Sequence, residues 1–247
     1  MNIVYHVDCM EYMKTLPDKF FDLAVVDPPY GIGINSMTFT KEGSERKFGH
    51  SACAKRDYKG KGEWDKKPSK KYFDELMRVS RHQIIWGGNY FTDILPPCKG
   101  FLIWDKRCSE AMSNAFADCE MAWMSKGMGV ARVFRYVWSG MIQGNMKNKE
   151  DRFHPTQKPV ALYEWIYRLF AKHGDKILDT HLGSGSSRIA AYDAGLDFVG
   201  CEINDYYFVE QERRFKEHTA QANMFVKDEH FEQISLFEGG EKKNGRK

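Results

Sequence analysis

The chain has 247 residues, of which 42% are hydrophobic and 29% charged, with a mean hydropathy of −0.58. These values predict a water-soluble protein of one domain and exclude fibrous, collagen-like and wholly disordered chains. The net charge of +3 is unevenly distributed: residues 41–71 hold eleven Lys/Arg against five Asp/Glu, and residues 126–158 hold seven against two. The other 183 residues hold 19 Lys/Arg and 27 Asp/Glu, a net −8. The sequence therefore describes a mildly acidic body with two basic segments.

The N-terminus and the cysteines indicate the compartment. The first residues, MNIVYHVDCM, contain no basic stretch followed by an apolar one, and the sequence has no run of eighteen apolar residues. The six cysteines form no CxxC pair, which favours reduced thiols. His50 and Cys53 lack a second pair of ligands, so a zinc site is not expected. We predict a cytoplasmic protein of bacterial or phage origin, without a membrane span or a metal.

Short apolar runs rich in β-branched residues alternate with helical patterns, which predicts an α/β fold with a mostly parallel, doubly wound sheet. The expected elements of the first half are strands Ile3–Val7, Leu23–Val26, Gln83–Trp86, Phe101–Trp104, Cys119–Met124 and Arg132–Trp138, and helices Cys9–Leu16 and Lys71–Arg81. Those of the second half are helices Val160–Lys172, Ser187–Ala194 and Tyr206–His218, and strands Lys176–Leu178 and Phe198–Cys201. Gly195 is placed to end the helix before it.

Two polar stretches, 32–70 and 139–153, show no apolar period. Loops of this length in a compact domain are usually functional. The final residues, EGGEKKNGRK, have the composition of a disordered tail. We therefore predict one domain over residues 1–237, with basic loops at 35–70 and 125–153, and a disordered tail at 238–247.

The first candidate motif is Asp27-Pro28-Pro29-Tyr30, which directly follows the strand LAVV. A carboxylate, two rings that fix φ and an aromatic side chain form a rigid rim at the carboxyl edge of the sheet. Open α/β sheets bind their ligands at this edge. Taken alone, the motif is also compatible with a plain turn.

The second candidate motif is the glycine turn between Asp179 and Ser187, with Glu202 at the end of the next strand. Glycines allow close approach of the backbone to a ligand, and the acidic residue can accept both hydroxyls of a ribose. The dinucleotide fingerprint needs a third glycine where this chain has Arg188. The turn therefore favours a nucleoside without a pyrophosphate.

Together these motifs resemble the amino-group DNA methyltransferases that use S-adenosylmethionine. Asp27–Tyr30 matches the catalytic DPPY motif, Asp179–Ser187 the cofactor loop, and His154–Pro159 the element that precedes this loop. The catalytic motif comes first, which is the order of the permuted β class. The resemblance spans residues 2–215 and implies a single Rossmann-like methyltransferase domain. Thr180 and His181 stand where that family usually has Pro and Phe.

The resemblance also implies roles for single residues. Asp27, Pro28, Pro29 and Tyr30 are the catalytic set. Glu202 would bind the ribose, Thr156 and Lys158 would lie near the methionine carboxylate, and Asp179 would order the turn or meet the ammonium. Residues 83–91 resemble the segment beside the target-base pocket. The full predicted cofactor site comprises Asp8, His154, Thr156, Lys158, Asp179, His181, Leu182, Gly183, Ser184, Gly185, Ser186, Glu202 and Ile203.

The chemistry explains the catalytic residue types. An exocyclic amino nitrogen is a poor nucleophile because its lone pair is conjugated into the ring. The Asp27 carboxylate and the Pro28 carbonyl would accept its hydrogens and direct the lone pair at the methyl group, in an in-line transfer that depends on positioning. Tyr30 would stack on a base rotated out of the duplex. Ring-carbon methylation, which needs a cysteine nucleophile, is disfavoured because Pro97-Cys98 follows a different segment.

Several alternatives remain open. Asp at the first motif position favours adenine N6 over cytosine N4, by family resemblance. Methylation of a protein or RNA amide or amine is a less favoured alternative; the two basic segments weigh against a small substrate and weakly against a protein. A DNA-binding module with a vestigial nucleoside fold would predict damaged motifs, and these motifs are intact. The sequence decides neither a homodimer, which β-class members often form, nor an accompanying restriction enzyme.

Double-stranded DNA is the expected partner. In both basic segments cations alternate with aromatic residues, which suits phosphate neutralisation and base stacking. A solvated charged face is the alternative. The candidate DNA-binding residues are Arg46, Lys47, Lys55, Arg56, Arg132 and Arg135.

A last motif lies near the C-terminus. Gln233-Ile234-Ser235-Leu236-Phe237 resembles the peptide by which bacterial proteins dock on the replicative sliding clamp. An extended tail with Leu236 and Phe237 as anchors could fill an apolar groove. Packing of these two side chains on the domain is the alternative.

Overall fold

The computed structural model describes residues 1–33, 65–107, 117–139 and 142–238, with the backbone alone for residues 139 and 222–238. The strands in these ranges are β1 Asn2–His6, β2 Phe21–Val26, β3 Ser80–Trp86, β4 Phe101–Asp105, β5 Cys119–Met124, β6 Arg132–Arg135, β7 Trp138–Ser139, β8 Ile142–Gln143, β9 Lys176–Asp179 and β10 Asp197–Glu202. The helices are α1 Cys9–Lys14, α2 Lys70–Val79, α3 Val160–Phe170, α4 Ser186–Asp193 and α5 Asp205–Glu238, and a 3₁₀ helix covers Gly88–Tyr90.

The main sheet has the strand order β1-β10-β9-β2-β3-β5-β4-β6. The first five of these neighbours pair in parallel, whereas β5 is antiparallel to both β3 and β4. Strands β4 and β6 pair in parallel and so run in the direction of the first five. The prediction of a mostly parallel sheet is confirmed, and the carboxyl ends of these parallel strands meet at one edge.

Helices cover both faces of the sheet. Side chains alternate along β2: Leu23 and Val25 pack in a cluster with α3 and α4, whereas Ala24 and Val26 pack in a second cluster with α1 and α2. Successive residues of a strand point to opposite faces, so the continuous apolar run Leu23–Val26 is buried on both sides of the sheet. The predicted doubly wound arrangement is confirmed.

Several predicted elements end at different places, and two of the differences follow from contacts between distant segments. Ser80 and Arg81, predicted as the end of a helix, belong to β3, because Ser80 already pairs with Phe21 of β2. The strand predicted over Arg132–Trp138 stops at Arg135. Trp138 pairs with β8 instead, and its indole N–H donates to the Gln157 carbonyl at 2.8 Å. The short strand pair β7–β8 thus begins at Trp138 and extends into residues 139–153, where the sequence indicated no element.

The last helix is longer than predicted. It continues past His218 to Glu238, and the sequence between Asp205 and Glu238 contains neither glycine nor proline to interrupt it. The backbone of Gln233–Phe237 is therefore helical, and the expectation of an extended segment there was wrong. Within the described ranges, no helix combines the length and the apolar character needed to cross a membrane. Residues 239–247, most of the predicted tail, lie outside those ranges.

The packing of β10 gives a stability prediction. Phe198 is fully buried between the sheet and the α3–α4 layer. Phe198→Ala should lower the free energy of unfolding by about 3–5 kcal/mol, because it removes apolar contacts and leaves a cavity. Urea denaturation followed by circular dichroism measures this. Val209→Ala, at an exposed position of α5, is the control and should stay within about 0.5 kcal/mol of wild type; equal effects would contradict the assigned core.

Candidate active site

Three carboxylates lie at the carboxyl ends of adjacent strands. Asp27 directly follows β2, Asp179 is the last residue of β9, and Glu202 is the last residue of β10. Strand β9 lies between the other two, with Leu178 opposite Ala24 and Asp179 opposite Gly200. The first and second sequence motifs, about 150 residues apart, therefore meet at one edge of the sheet, where open α/β folds bind ligands.

The Asp27–Tyr30 motif folds back on itself. The Tyr30 hydroxyl donates to Asp27 Oδ1 at 2.7 Å. The Tyr30 ring stacks on Tyr90, with 4.9 Å between ring centroids and 19° between planes. Gly87 makes this possible: it has φ +70°, and a Cβ there would lie 2.2 Å from Tyr30 Cε1. The structure thus places the 83–91 segment beside Tyr30, as the resemblance implied.

Lys158 lies against Asp27 rather than at the glycine turn. Its ammonium forms an ion pair with Asp27 Oδ2 and another, at 3.0 Å, with Glu120 Oε2 of β5. Lys106 pairs with the other oxygen of Glu120, also at 3.0 Å. We call this set of alternating charges, Asp27–Lys158–Glu120–Lys106, the buried charge chain. Lys158 is the most enclosed member, with 3% of its side chain exposed.

Along the buried charge chain, burial and the neighbouring charges shift the pKa values in opposite directions. Burial raises the pKa of Asp27, although Lys158 and the Tyr30 hydroxyl counteract it. Burial disfavours a charged Lys158, but Asp27 and Glu120 outweigh burial and raise the pKa of the ammonium. For Glu120, burial is likewise outweighed by Lys158 and Lys106, which lower its pKa to about 2. Lys158 and Glu120 are therefore charged at neutral pH.

The glycine turn is held by two of the carboxylates. Asp179 accepts hydrogen bonds from the His181 N–H and the Ser187 hydroxyl. Glu202 accepts from the N–H groups of Gly183 and Asn204, both at 2.8 Å. Gly183 and Gly185 have φ +54° and +74°, in the left-handed region that favours glycine. Burial raises the pKa of Asp179 to about 7 and raises the pKa of Glu202.

Thr180 and His181, which stand where the similar family usually has Pro and Phe, form polar contacts. The Tyr72 hydroxyl lies 2.6 Å from Thr180 Oγ1, which lies 2.9 Å from His181 Nδ1. Burial lowers the pKa of His181 to about 4, so its imidazole is neutral at neutral pH. Hydrogen bonds thus join α2 to the turn where the family usually has apolar residues.

The side chains of the His154–Pro159 element lie at two different parts of the site. His154 packs on Tyr207, with ring centroids 4.2 Å apart, and a Cβ on Gly183 would lie 3.5 Å from its Nε2. Burial lowers the pKa of His154 to about 3. Thr156 bonds His154 Nδ1 through its N–H and its hydroxyl. His154 and Thr156 therefore lie towards the glycine turn, whereas Lys158 points to Asp27.

The remaining predicted cofactor residues have varied surroundings. Asp8 caps α1 by accepting from the Met10 N–H at 2.7 Å. Leu182, Ser184 and Ser186 are buried within the turn, whereas Ile203 is 64% exposed. Asp8 and Ile203 follow the ends of β1 and β10, which are neighbours in the sheet. All of these residues therefore share the carboxyl edge.

The structure describes two of the six predicted DNA-binding residues. Arg46, Lys47, Lys55 and Arg56 lie outside the described residues. Arg132 and Arg135 begin and end β6, at the far end of the sheet from β1. Arg135 is at the carboxyl edge, with 81% of its side chain exposed and its Nε 3.9 Å from Asp105.

Sequence reasoning missed four residues at the site. They are Tyr90, which stacks on Tyr30, Tyr72, which bonds Thr180, and the two members of the charge chain Lys106 and Glu120. Glu120 carried a signal, because it is a charged residue within the strand CEMAWM. Tyr90 lies in the 83–91 segment that the resemblance had marked, although it was not named there as a site residue, whereas Tyr72 and Lys106 have no distinguishing local pattern.

Comparison with known proteins gives matches in sequence. A DNA methylase family model, for N6 and N4 methyltransferases, matches residues 107–213. The Type II methyltransferase M.HinfI of Haemophilus influenzae is 24% identical, over 88% of this chain and 69% of its own. The Type II methyltransferase M2.MboI of Moraxella bovis is 21% identical, over 94% of each chain.

Solved structures match over most of the chain. The M1.HpyAVI–SAM complex superposes with a TM-score of 0.53 at 20% identity, over 87% of this chain and all of that one. The cytosine-N4-specific PvuII DNA methyltransferase gives 0.55 at 12% identity, over 92% and 93% of the two chains. At these identities the structures establish a shared fold. The predicted resemblance is thus confirmed: this chain is similar to the N6/N4 DNA methyltransferases in sequence over residues 107–213 and in fold over most of its length.

Proposed function

We propose that this protein is a site-specific DNA methyltransferase that moves a methyl group from S-adenosylmethionine to an exocyclic amino nitrogen. The observation that carries this proposal is the juxtaposition of Asp27, at the end of β2, with the glycine turn that follows the adjacent strand β9. An acceptor for amino hydrogens and a nucleoside-binding turn are thus neighbours. The DNA methylase model and the Type II relatives support the same assignment.

The turn suits S-adenosylmethionine because it offers hydrogen-bond acceptors and space beside its glycines. Glu202 is fixed by two backbone N–H groups and keeps lone pairs for ribose hydroxyls, since a carboxylate can accept about four hydrogen bonds. Gly183 lacks a side chain on the side that faces His154. His154 and His181, with pKa values of about 3 and 4, are neutral and do not repel a cationic ligand. Bound S-adenosylmethionine supplies an electrophilic methyl group on its sulfonium.

Asp27 and its neighbours suit an amino substrate. Tyr30 and Lys158 each donate to one oxygen of Asp27, which leaves further lone pairs for amino hydrogens. When the carboxylate accepts hydrogen bonds from the amino group, electron density on the nitrogen rises and its lone pair becomes more available for methyl transfer. The fixed carboxylate thus stabilises the positive charge that develops on the nitrogen. The stacked rings of Tyr30 and Tyr90 offer an aromatic surface for a base rotated out of the duplex.

We propose adenine N6 as the acceptor, with cytosine N4 as the second candidate. Asp at the first position of the motif supports adenine through the family resemblance. The fold match to the cytosine-N4-specific PvuII enzyme keeps the second candidate open. Both amino groups require the same acceptors, so the geometry of Asp27 fits either.

Basic residues near the rim support double-stranded DNA as the substrate. The ends of the stretch 34–64 are held together there: the Gly31 N–H donates to Asp65 Oδ1 at 2.8 Å. Lys67, just beyond, pairs with Asp93 at 2.7 Å. The described residues on either side of the stretch 34–64 therefore lie close together near Tyr30. Cations at this place would meet the phosphates that flank the target base.

The first prediction concerns Asp27. Asp27→Ala should abolish DNA methylation in cells, because the amino nitrogen loses its carboxylate acceptor. Modified-base sequencing of cellular DNA identifies the base, its position and the recognition site together. The control is Asp74→Ala, at an exposed carboxylate of α2, which should methylate as wild type does. Absence of any new modified base with the wild-type protein would refute the proposed function.

The second prediction concerns the cofactor. Glu202→Gln should weaken S-adenosylmethionine binding by roughly 10–100-fold, the effect of losing about 1.5–3 kcal/mol of charged hydrogen bonds. Isothermal titration calorimetry measures the dissociation constant. Glu210→Gln, on α5 outside the turn, should bind as wild type does. Unchanged affinity in Glu202→Gln would exclude ribose recognition by this residue.

The third prediction concerns DNA affinity. Replacing Arg46, Lys47, Lys55 and Arg56 with Ala should reduce the slope of log K against log salt by about 0.9 for each phosphate that the variant no longer neutralises. Fluorescence anisotropy with a duplex, at several salt concentrations, gives the slope. The control replaces four exposed cations elsewhere, Lys14, Arg168, Lys172 and Lys216. Equal slopes for the two variants would exclude the first basic segment as the main phosphate-binding element.

A further inference from the structure

We propose that Lys158 and Glu120 are positioning residues that hold the Asp27 carboxylate in its reactive orientation, with Glu120 acting through Lys158. This inference rests on the proposed function of Asp27. It gives Lys158 a role different from contact with the methionine carboxylate, which the sequence resemblance implied.

The hydrogen-bonding capacity of Lys158 supports this role. An ammonium has three N–H donors. Three acceptors of the protein surround it: Asp27 Oδ2, Glu120 Oε2 at 3.0 Å and the Tyr30 hydroxyl at 3.4 Å. The faces of Trp86 and Tyr30, 5.4 and 5.9 Å from the nitrogen, enclose it further. Lys158 has no remaining donor for a cofactor carboxylate.

Each oxygen of Asp27 is therefore fixed by a different donor. Tyr30 holds Oδ1 and Lys158 holds Oδ2, so the plane of the carboxylate cannot rotate without breaking one of the bonds. The remaining lone pairs of the Asp27 carboxylate therefore point in a fixed direction. Transfer to a weak nucleophile depends on such alignment, since small misplacements of reacting groups cost large factors in rate.

Glu120 completes the arrangement from the other side. A buried ammonium with one carboxylate partner would be poorly compensated, and its position poorly determined. Glu120 supplies the second carboxylate, and Lys106 keeps that carboxylate ionised. Residues of four separate segments, 27, 106, 120 and 158, thus form one alternating set of charges. Within the part of the chain that the structure describes, no hydrogen bond or ion pair joins this set to the glycine turn, so its effect should fall on the reaction more than on cofactor affinity.

The charges that surround Asp27 predict a signature that differs between the two positions. Lys158 and the Tyr30 hydroxyl lower the pKa of Asp27, whereas burial and Glu120 raise it. Asp27 also interacts electrostatically with Asp179 and Tyr163. Lys158→Met should therefore raise the pKa of Asp27, and Glu120→Gln should lower it. A purely structural role would not move the pKa in opposite directions.

The experiment measures single-turnover methylation of duplex DNA against pH, with saturating S-adenosylmethionine. Lys158→Met should lower the rate at neutral pH by about 100-fold or more and shift its acid limb upward by about one pH unit, because the opposite charge beside Asp27 is gone. Glu120→Gln should lower the rate about 10-fold, the effect of misplacing a reacting group, and shift the acid limb downward, because the negative charge that raises the pKa of Asp27 is gone. Calorimetry should show wild-type affinity for S-adenosylmethionine in both variants.

Three controls separate the outcomes. Glu75→Gln alters a carboxylate that pairs with Arg78 on α2 and should keep the wild-type rate. Lys158→Arg retains the charge and should recover part of the rate that Lys158→Met loses. If Lys158→Met does not fold, as thermal unfolding would show, Lys158→Arg and Glu120→Gln still decide the proposal.

Two results would overturn the proposal. One is a wild-type rate and acid limb in both Lys158→Met and Glu120→Gln. The other is a large loss of S-adenosylmethionine affinity in Lys158→Met with an unchanged maximal rate, which would make Lys158 a cofactor ligand. If the wild type methylates no DNA, the proposed function fails by itself. Titration of Asp27 by ¹³C NMR still reports whether Lys158 and Glu120 control its pKa in opposite directions.

Discussion

The parallel pairing of β2 with β9 is the constraint on which the rest of the site depends. Leu23 and Ala24 pair with Ile177 and Leu178, and this register joins the first and last parts of the chain in the middle of the sheet. Because the two strands run in the same direction, both motifs emerge at one edge. Helices on both faces bury the strands completely, which fixes the register, since a slip by one residue would exchange the two packed faces. The sheet thus sets the separation between the Asp27 carboxylate and the glycine turn.

Electrostatics then gives the carboxylates of this edge different environments. Glu202 and Asp179 bond backbone N–H groups and a hydroxyl and so shape the turn. Asp27 instead bonds the Tyr30 hydroxyl and an ammonium within the buried charge chain. Burial raises the pKa of all three. Of these three carboxylates, only Asp27 pairs with a buried cation within the described part of the chain. We infer that the environment, more than the residue type, separates the turn-forming and reactive roles.

Much of the fold followed from local patterns. Strands β2, β9 and β10 are short apolar runs that end at a carboxylate, and the apolar spacing of α3 was visible in the sequence. The prediction failed where long-range contacts decide. Ser80 joins β3 because Phe21 pairs with it, and Trp138 leaves β6 because its indole bonds Gln157. In the last helix the sequence had no stop signal after His218, and the helix continues.

The sequence by itself determined the residue types at the site. Its motifs carry the acidic residues Asp27, Asp179 and Glu202 and the glycines of the turn, which are the residue types that the proposed function needs for a rim, a nucleoside turn and a ribose acceptor. Only the tertiary structure decided which side chains meet. It brings Lys158 to Asp27 and Glu120, and Tyr90 to Tyr30 across Gly87. The physical reason is that ion pairs and ring stacking act over a few ångströms between segments far apart in sequence, and no local pattern encodes their distance.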